Sequence, residues 1–136
     1  MARARSRLFV NLAVRDLARS VAFFSALGFE FNPTYTDDRA ACLIISSAAS
    51  VMLLAQPFFA TFIRKEPCDA QTHAEASIAL TCSARRELEA LLERALAAGA
   101  TRAPGYDYGF ATGSGFYDLD GHHWQLTWSD PHRVLA

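Results

Sequence analysis

Phe116-Tyr117-Asp118-Leu119-Asp120-Gly121-His122-His123-Trp124-Gln125-Leu126-Thr127-Trp128 is the stretch on which the reading of the fold turns. Leu119-Asp120-Gly121-His122 is a tight-turn signal, with Asp120 and Gly121 supplying the backbone shape a strand reversal needs and Asp118 ending the strand before it. An aromatic run leads in and a Trp- and Leu-rich strand leads out. Alternation puts Trp124, Leu126 and Trp128 on one face and His123, Gln125 and Thr127 on the other. The first is a core face. The second is polar and is expected to look into a cavity.

Upstream, Glu75 to Cys82 alternates as well: Ala76, Ile78, Leu80 and Cys82 against Glu75, Ser77, Ala79 and Thr81. Ser83 is the expected N-cap of a helix that runs to about Ala98, with Leu88, Leu91, Leu92 and Ala95 as its buried stripe and Gly99 as its terminator. Strands are expected near Thr101 and at Phe116 and His123. A Gly-rich loop with Tyr106, Tyr108 and Phe110 is expected between Pro104 and Gly115. It is an ordinary turn or a ligand cover.

The first half carries the same order. Leu8 to Val14 is a strand with Leu8, Val10, Leu12 and Val14 on one face and Phe9, Asn11 and Ala13 on the other. Asp16 caps a helix with Leu17, Val21 and Phe24 on one stripe, and Gly28 ends it. Phe29 to Tyr35 reads as a strand broken at Asn32-Pro33, Asp37-Asp38 as a turn, and Ala40 to Ile45 and Val51 to Ala55 as strands. The repeat makes the chain one α+β domain of two modules, about 8–56 and 74–128. A connection over 57–73 joins them, and its Phe58, Phe59 and Phe62 cover a pocket, cap the core or make a dimer contact. Each module has one helix and so covers one face of its sheet, and the two must pair. The helix-free faces should bound a cleft receiving Phe9, Asn11, Glu75, Ser77, His123 and Gln125.

Half of the 136 residues are apolar (51%), which suffices for a core, and the net charge of −1 argues against a nucleic-acid partner. Arg3, Arg5 and Arg7 read as a solvated N-terminal arm. Cys42, Cys68 and Cys82 have no metal or redox spacing; Cys42 and Cys82 read as buried thiols, and a reducing cytoplasm is the expected compartment. The run Leu8-Phe9-Val10 is broken by Asn11 and then by Arg15-Asp16, so it does not read as a signal peptide, and no stretch is long and apolar enough to span a membrane.

Val14-Arg15-Asp16-Leu17-Ala18-Arg19-Ser20-Val21-Ala22-Phe23-Phe24, Leu27-Gly28-Phe29, Ala97-Ala98-Gly99-Ala100 and Asp118-Leu119-Asp120-Gly121-His122 together resemble the vicinal-oxygen-chelate superfamily, the glyoxalase/bleomycin resistance/dioxygenase group. Phe31-Asn32-Pro33 and Val51-Met52-Leu53-Leu54 are similar to its bacterial "predicted lactoylglutathione lyase" branch. The resemblance implies paired βαβββ modules forming a half-barrel cleft, and a homodimer. In metal-dependent members each module supplies one ligand from its first strand and one from its last. Those positions fall near Phe9, Met52, Ser77 and Gln125. Phe and Met do not ligate a hard or borderline ion, serine is a poor ligand, and a lone glutamine cannot hold one.

Two functions from different classes follow, with a structural one beside them. The first is a module that binds a small molecule without the usual metal or any cofactor, in a cleft lined by Phe9, Asn11, Met52, Leu54, Ser77, Tyr106, Phe110, His123 and Gln125. The second is a lactoylglutathione lyase-like or dioxygenase-like enzyme, in which Glu75, His123 and Gln125 hold Ni, Zn, Fe or Mn and carry the chemistry. The third is a non-catalytic dimer with its cleft filled by its own side chains. His122, close to the turn, is expected to be exposed, and His73 and His132, in loop and tail, are expected to bind no metal.

Overall fold

Alternating apolar residues at Leu8–Val14 make strand β1, which burial bears out at its C-terminal end, where Leu12 and Val14 are buried. Leu8 departs from the expected core face and is 62% exposed, being the first residue of the strand. The computed structural model describes residues 6–133, so Arg3 and Arg5 of the basic arm lie outside the described residues.

Asp16 caps helix α1 (Leu17–Ala26) as expected, its carboxylate accepting the Arg19 backbone N–H at 3.1 Å. Gly28 follows with a φ of 97°, a backbone shape that a side chain would strain. The buried helix residues are Ser20, Phe23 and Phe24, with Leu27 buried just beyond; Leu17 and Val21 are half-buried.

Where one long strand was expected over Phe29 to Tyr35, only β2 (Phe31–Asn32) forms, followed by a 3₁₀ turn over Pro33–Tyr35. Pro33 has no N–H for a ladder, and the Asn32 side chain accepts from Thr34 N–H at 3.0 Å, which turns the chain. β3 (Ala40–Ile44) and β4 (Ala49–Ala55) complete a four-stranded sheet of order β1-β4-β3-β2, with β1 and β4 parallel and the other pairs antiparallel. Val10, Val51 and Leu43 share one row, and Leu12, Leu53 and Ala41 the next. Five of those six are nearly inaccessible. A short helix, α2 (Gln56–Ala60), follows β4 with Pro57 in its first turn. It was not anticipated, because five residues carry no helical period.

The chain divides into two compact units between Pro67 and Cys68. The second unit holds β5 (Ser77–Thr81), α3 (Arg85–Ala97), β6 (Thr101–Asp107), β7 (Ala111–Tyr117) and β8 (His123–Ser129). Its sheet order, β5-β8-β7-β6 with β5 and β8 parallel, repeats that of the first. Trp124 and Leu126 are fully inaccessible, and Phe116 lies directly opposite Trp124 with its ring stacked at 6.3 Å. Helix α3 packs on β7 and β8, with Leu88, Leu92 and Ala95 buried and Leu91 only half-buried. Burying a large apolar side chain stabilises by about 1.5–3 kcal/mol, so this aromatic pair is a principal contributor to the module.

Three expectations change here. Ser83 is not the N-cap of α3; Ala84 occupies that position with no side-chain bond. Ser83 sits one residue earlier, and both its backbone N–H (2.9 Å) and its hydroxyl donate to the Glu87 carboxylate. Those two bonds hold the Glu87 carboxyl below its ordinary 4.5. The loop expected over Pro104–Gly115 is a β-hairpin with a bulge between Ala103 and Tyr106. A Cβ on Gly113 would meet the Tyr106 ring at 2.9 Å and less, so the glycine that looked like a loop signal makes room for an aromatic cross-strand neighbour.

The third change concerns the turn after β7. Asp118 does more than end the strand: its carboxylate also holds the turn that contains Asp120 and Gly121. One Asp118 oxygen accepts the backbone N–H groups of Asp120 (2.9 Å) and His122 (3.0 Å), and the other accepts Trp124 Nε1 at 2.9 Å. Burial pushes the Asp118 carboxyl above its ordinary 3.8, against the opposing pull of His122 and the three N–H donors. Gly121 has a φ of 95°, and a Cβ there would run into the Ala70 backbone. Cys42 and Cys82 are buried free thiols as expected, and burial raises the Cys82 thiol further above 9.0. No helix among the described residues is long and apolar enough to cross a membrane.

Candidate functional site

In the second module, strand register decides which side chains meet. Ser77 on β5 lies opposite His123 on β8, and His123 lies opposite Tyr117 on β7, so the three form one row across the sheet. They point away from Trp124, Leu126 and Phe116, because neighbours along a strand alternate faces. The Ser77 hydroxyl and His123 Nδ1 are 2.5 Å apart and share a hydrogen bond. The Tyr117 and His123 rings are tilted against each other at 5.5 Å. Gly115 leaves space beside the imidazole, since a Cβ there would come within 3.1 Å of Nε2.

This row borders a cavity of about 510 Å³, also lined by Glu75, Pro104 and the alanines at 74 and 76. The sequence reading brought Glu75, Ser77 and His123 to one face, and all three line the cavity. Tyr117 and Pro104 were missed. Tyr117 had a legible signal: it flanks the Asp118–His122 turn on the other side from His123, and residues flanking a turn pair across it.

The other candidates are elsewhere. Gln125 lies opposite Ala79 and Gly115, one row further along, and does not line this cavity. Tyr106 and Phe110 sit at the far end of the β6–β7 hairpin, where Tyr108 stacks between them at 5.1 and 6.4 Å and Arg133 lies over Phe110 at 4.5 Å. In the first module, Asn11 and Met52 are register partners, and Asn11 is exposed. Phe9 pairs with Ser50, meets Tyr35 edge-on at 6.4 Å, and has Arg7 over its ring. Leu54 is buried. His73 bonds Thr72, His122 is half-buried instead of being exposed, and His132 is exposed in the tail.

Register also bears on the positions carried over from metal-dependent relatives. Phe9 and Met52 belong to different rows, as do Ser77 and Gln125; the partner of Ser77 is His123. Among the described residues, no three His, Cys, Asp or Glu side chains converge closely enough to hold an ion. The side chains at the carried-over positions, Phe9, Met52, Ser77 and Gln125, do not make a ligand set for such an ion.

Comparison with known proteins agrees with this architecture. Residues 7–46 match a family model described as Bleomycin resistance protein-like N-terminal. A hypothetical protein from S. aureus has a similar structure, with a TM-score of 0.77 and 25% identity over 93% of this chain and 95% of that one. A glyoxalase/bleomycin resistance protein/dioxygenase family enzyme from Burkholderia phytofirmans PsJN gives a TM-score of 0.72 at 16% identity, covering 89% and 96% of the two chains. The fosfomycin resistance protein FosX from Listeria monocytogenes gives 0.66 at 18% identity, covering 99% and 100%. No curated protein matches in sequence.

Two four-stranded mixed sheets, each with the order first-fourth-third-second, are the vicinal-oxygen-chelate fold shared with the glyoxalase/bleomycin resistance/dioxygenase proteins. Within that fold, residues 7–46 are the part similar to the bleomycin resistance protein-like model.

Proposed function

We propose that this chain binds a small molecule without a resident metal or other cofactor, and that the cavity beside Ser77, Tyr117 and His123 is a binding site. The observation that carries the reading is the composition of that cavity. It has apolar walls in Pro104, Tyr117 and the alanines, and few polar groups, namely the Ser77–His123 pair and Glu75. A mostly apolar concavity with a few convergent polar groups is the usual form of a ligand site. The unsuited residues at the four carried-over positions support the absence of a metal.

The discriminating experiment uses protein purified without a tag. Elemental analysis is expected to find no Ni, Zn, Fe or Mn near one per chain. A metabolite and antibiotic panel is expected to raise the melting temperature for at least one compound, because a ligand of the native state stabilises it. Metal at one per chain would overturn the metal-independent reading, and a silent panel would favour the structural-dimer reading.

One observation favours a metal-dependent alternative: Glu75 and His123, a carboxylate and an imidazole, line the same cavity. FosX from Listeria monocytogenes is known complexed with Mn(II) and sulfate. On that reading a lyase or dioxygenase would gather its remaining ligands on loading, and added micromolar metal would bind. The working form we propose is a cytoplasmic homodimer; light scattering at micromolar concentration should give twice the chain mass.

A further inference from the structure

Charge in the cavity narrows the class of ligand. Glu75 is the one carboxylate that lines it, and no Lys or Arg does. The Glu75 side chain has no hydrogen-bond or ion-pair partner among the described residues, so its charge is not neutralised within the module. Beside it are the Tyr117 ring, 38% exposed, and the apolar ring of Pro104. An uncompensated carboxylate attracts a cation at short range, and an aromatic face attracts the same cation through its quadrupole. An anionic ligand would meet repulsion from Glu75 with no lysine or arginine in the lining to offset it.

From this we infer that the site takes a small planar or aromatic amine, protonated at working pH, with its ring on Tyr117 and Pro104 and its cationic end toward Glu75. The inference rests on the binding reading above and adds the charge and shape of the ligand. It sets the site apart from one built for carboxylates, phosphates or phosphonates, whose recognition calls for arginine, lysine or a metal.

The test uses three probes of one shape: 2-naphthylmethylammonium, neutral 2-naphthalenemethanol and anionic 2-naphthoate. Each is titrated at pH 8 by NMR and calorimetry into the full chain and into Glu75→Gln. Glu75 is exposed and unpaired, so the variant is expected to fold, which circular dichroism checks. The ammonium probe should bind about threefold to fivefold more tightly than the alcohol, the range expected of a solvent-accessible charge pair, and the carboxylate most weakly. Glu75→Gln should abolish the difference between ammonium and alcohol. Equal affinities, tightest binding by the carboxylate, or a preference that survives in Glu75→Gln would overturn the inference and leave the binding reading standing. Binding by none of the three would overturn the inference, while the binding reading stands or falls on the metabolite and antibiotic panel.

Discussion

Asp118 shows how much one buried side chain decides. Its two oxygens take two turn N–H groups and the indole N–H of the fully buried Trp124, so it ties the β7–β8 turn to the core beneath it. Asp118→Asn keeps the shape but replaces one acceptor oxygen with an NH₂ that must face a donor. The expected loss is about 2 kcal/mol, because a buried donor without a partner costs its desolvation. Urea unfolding followed by tryptophan fluorescence reads this directly, since both tryptophans, Trp124 and Trp128, lie in the second unit. An unchanged midpoint would show that the turn holds without the carboxylate. The sequence reading had the turn at the right place but took Asp118 only as the end of the strand before it. In isolation Asp-Gly is the stronger turn pair, and the bond from the buried Trp124 Nε1 to Asp118 is not visible in the sequence.

At the scale of elements, the two helix starts differ in a way pattern could not resolve. Asp16 and Ser83 occupy matching places in the repeat, yet only Asp16 caps through its side chain. At α3 the polarity is reversed: Ser83 donates and Glu87, in the first turn, accepts. Those bonds depress the Glu87 carboxyl, so their contribution is present above its unfolded value of 4.5 and is lost as pH falls through the lower folded value. The difference in stability between the native chain and Glu87→Gln should therefore be constant at neutral pH and vanish in acid below 4.5. It should not exceed about 0.5 kcal/mol for so exposed a group. Paired urea titrations at pH 7 and in acid check the sign; a difference that grows in acid would contradict it. The β6–β7 hairpin was misread for a related reason. Gly105, Gly109, Gly113 and Gly115 read as loop, but two of them are ladder positions where neighbouring rings need the space.

At the scale of the molecule, the duplicated sheet order is the dominant fact. Each module stacks its apolar rows beneath its helix and leaves the other face to mixed and polar side chains. A shared fold does not fix a function, so what this chain does rests on its own side chains. Dialysis against EDTA should leave the melting temperature of the whole chain within about 1 °C, because removing an ion changes stability only where the native state holds one. A fall of several degrees that added Ni or Zn reverses would point to the enzymatic alternative.

Alternation and capping chemistry, both local properties, already determined the two-module α+β order, the Gly28 and Gly99 helix ends and the polar face bearing Ser77 and His123. Side chains two apart in a strand share a face whatever the rest of the chain does. What only the tertiary structure decided was register between distant strands: that Ser77 meets His123 instead of Gln125, and that Tyr106 and Phe110 lie at the other end of the sheet. Register depends on which residues of distant strands fall opposite one another, and no local pattern in either strand encodes that pairing.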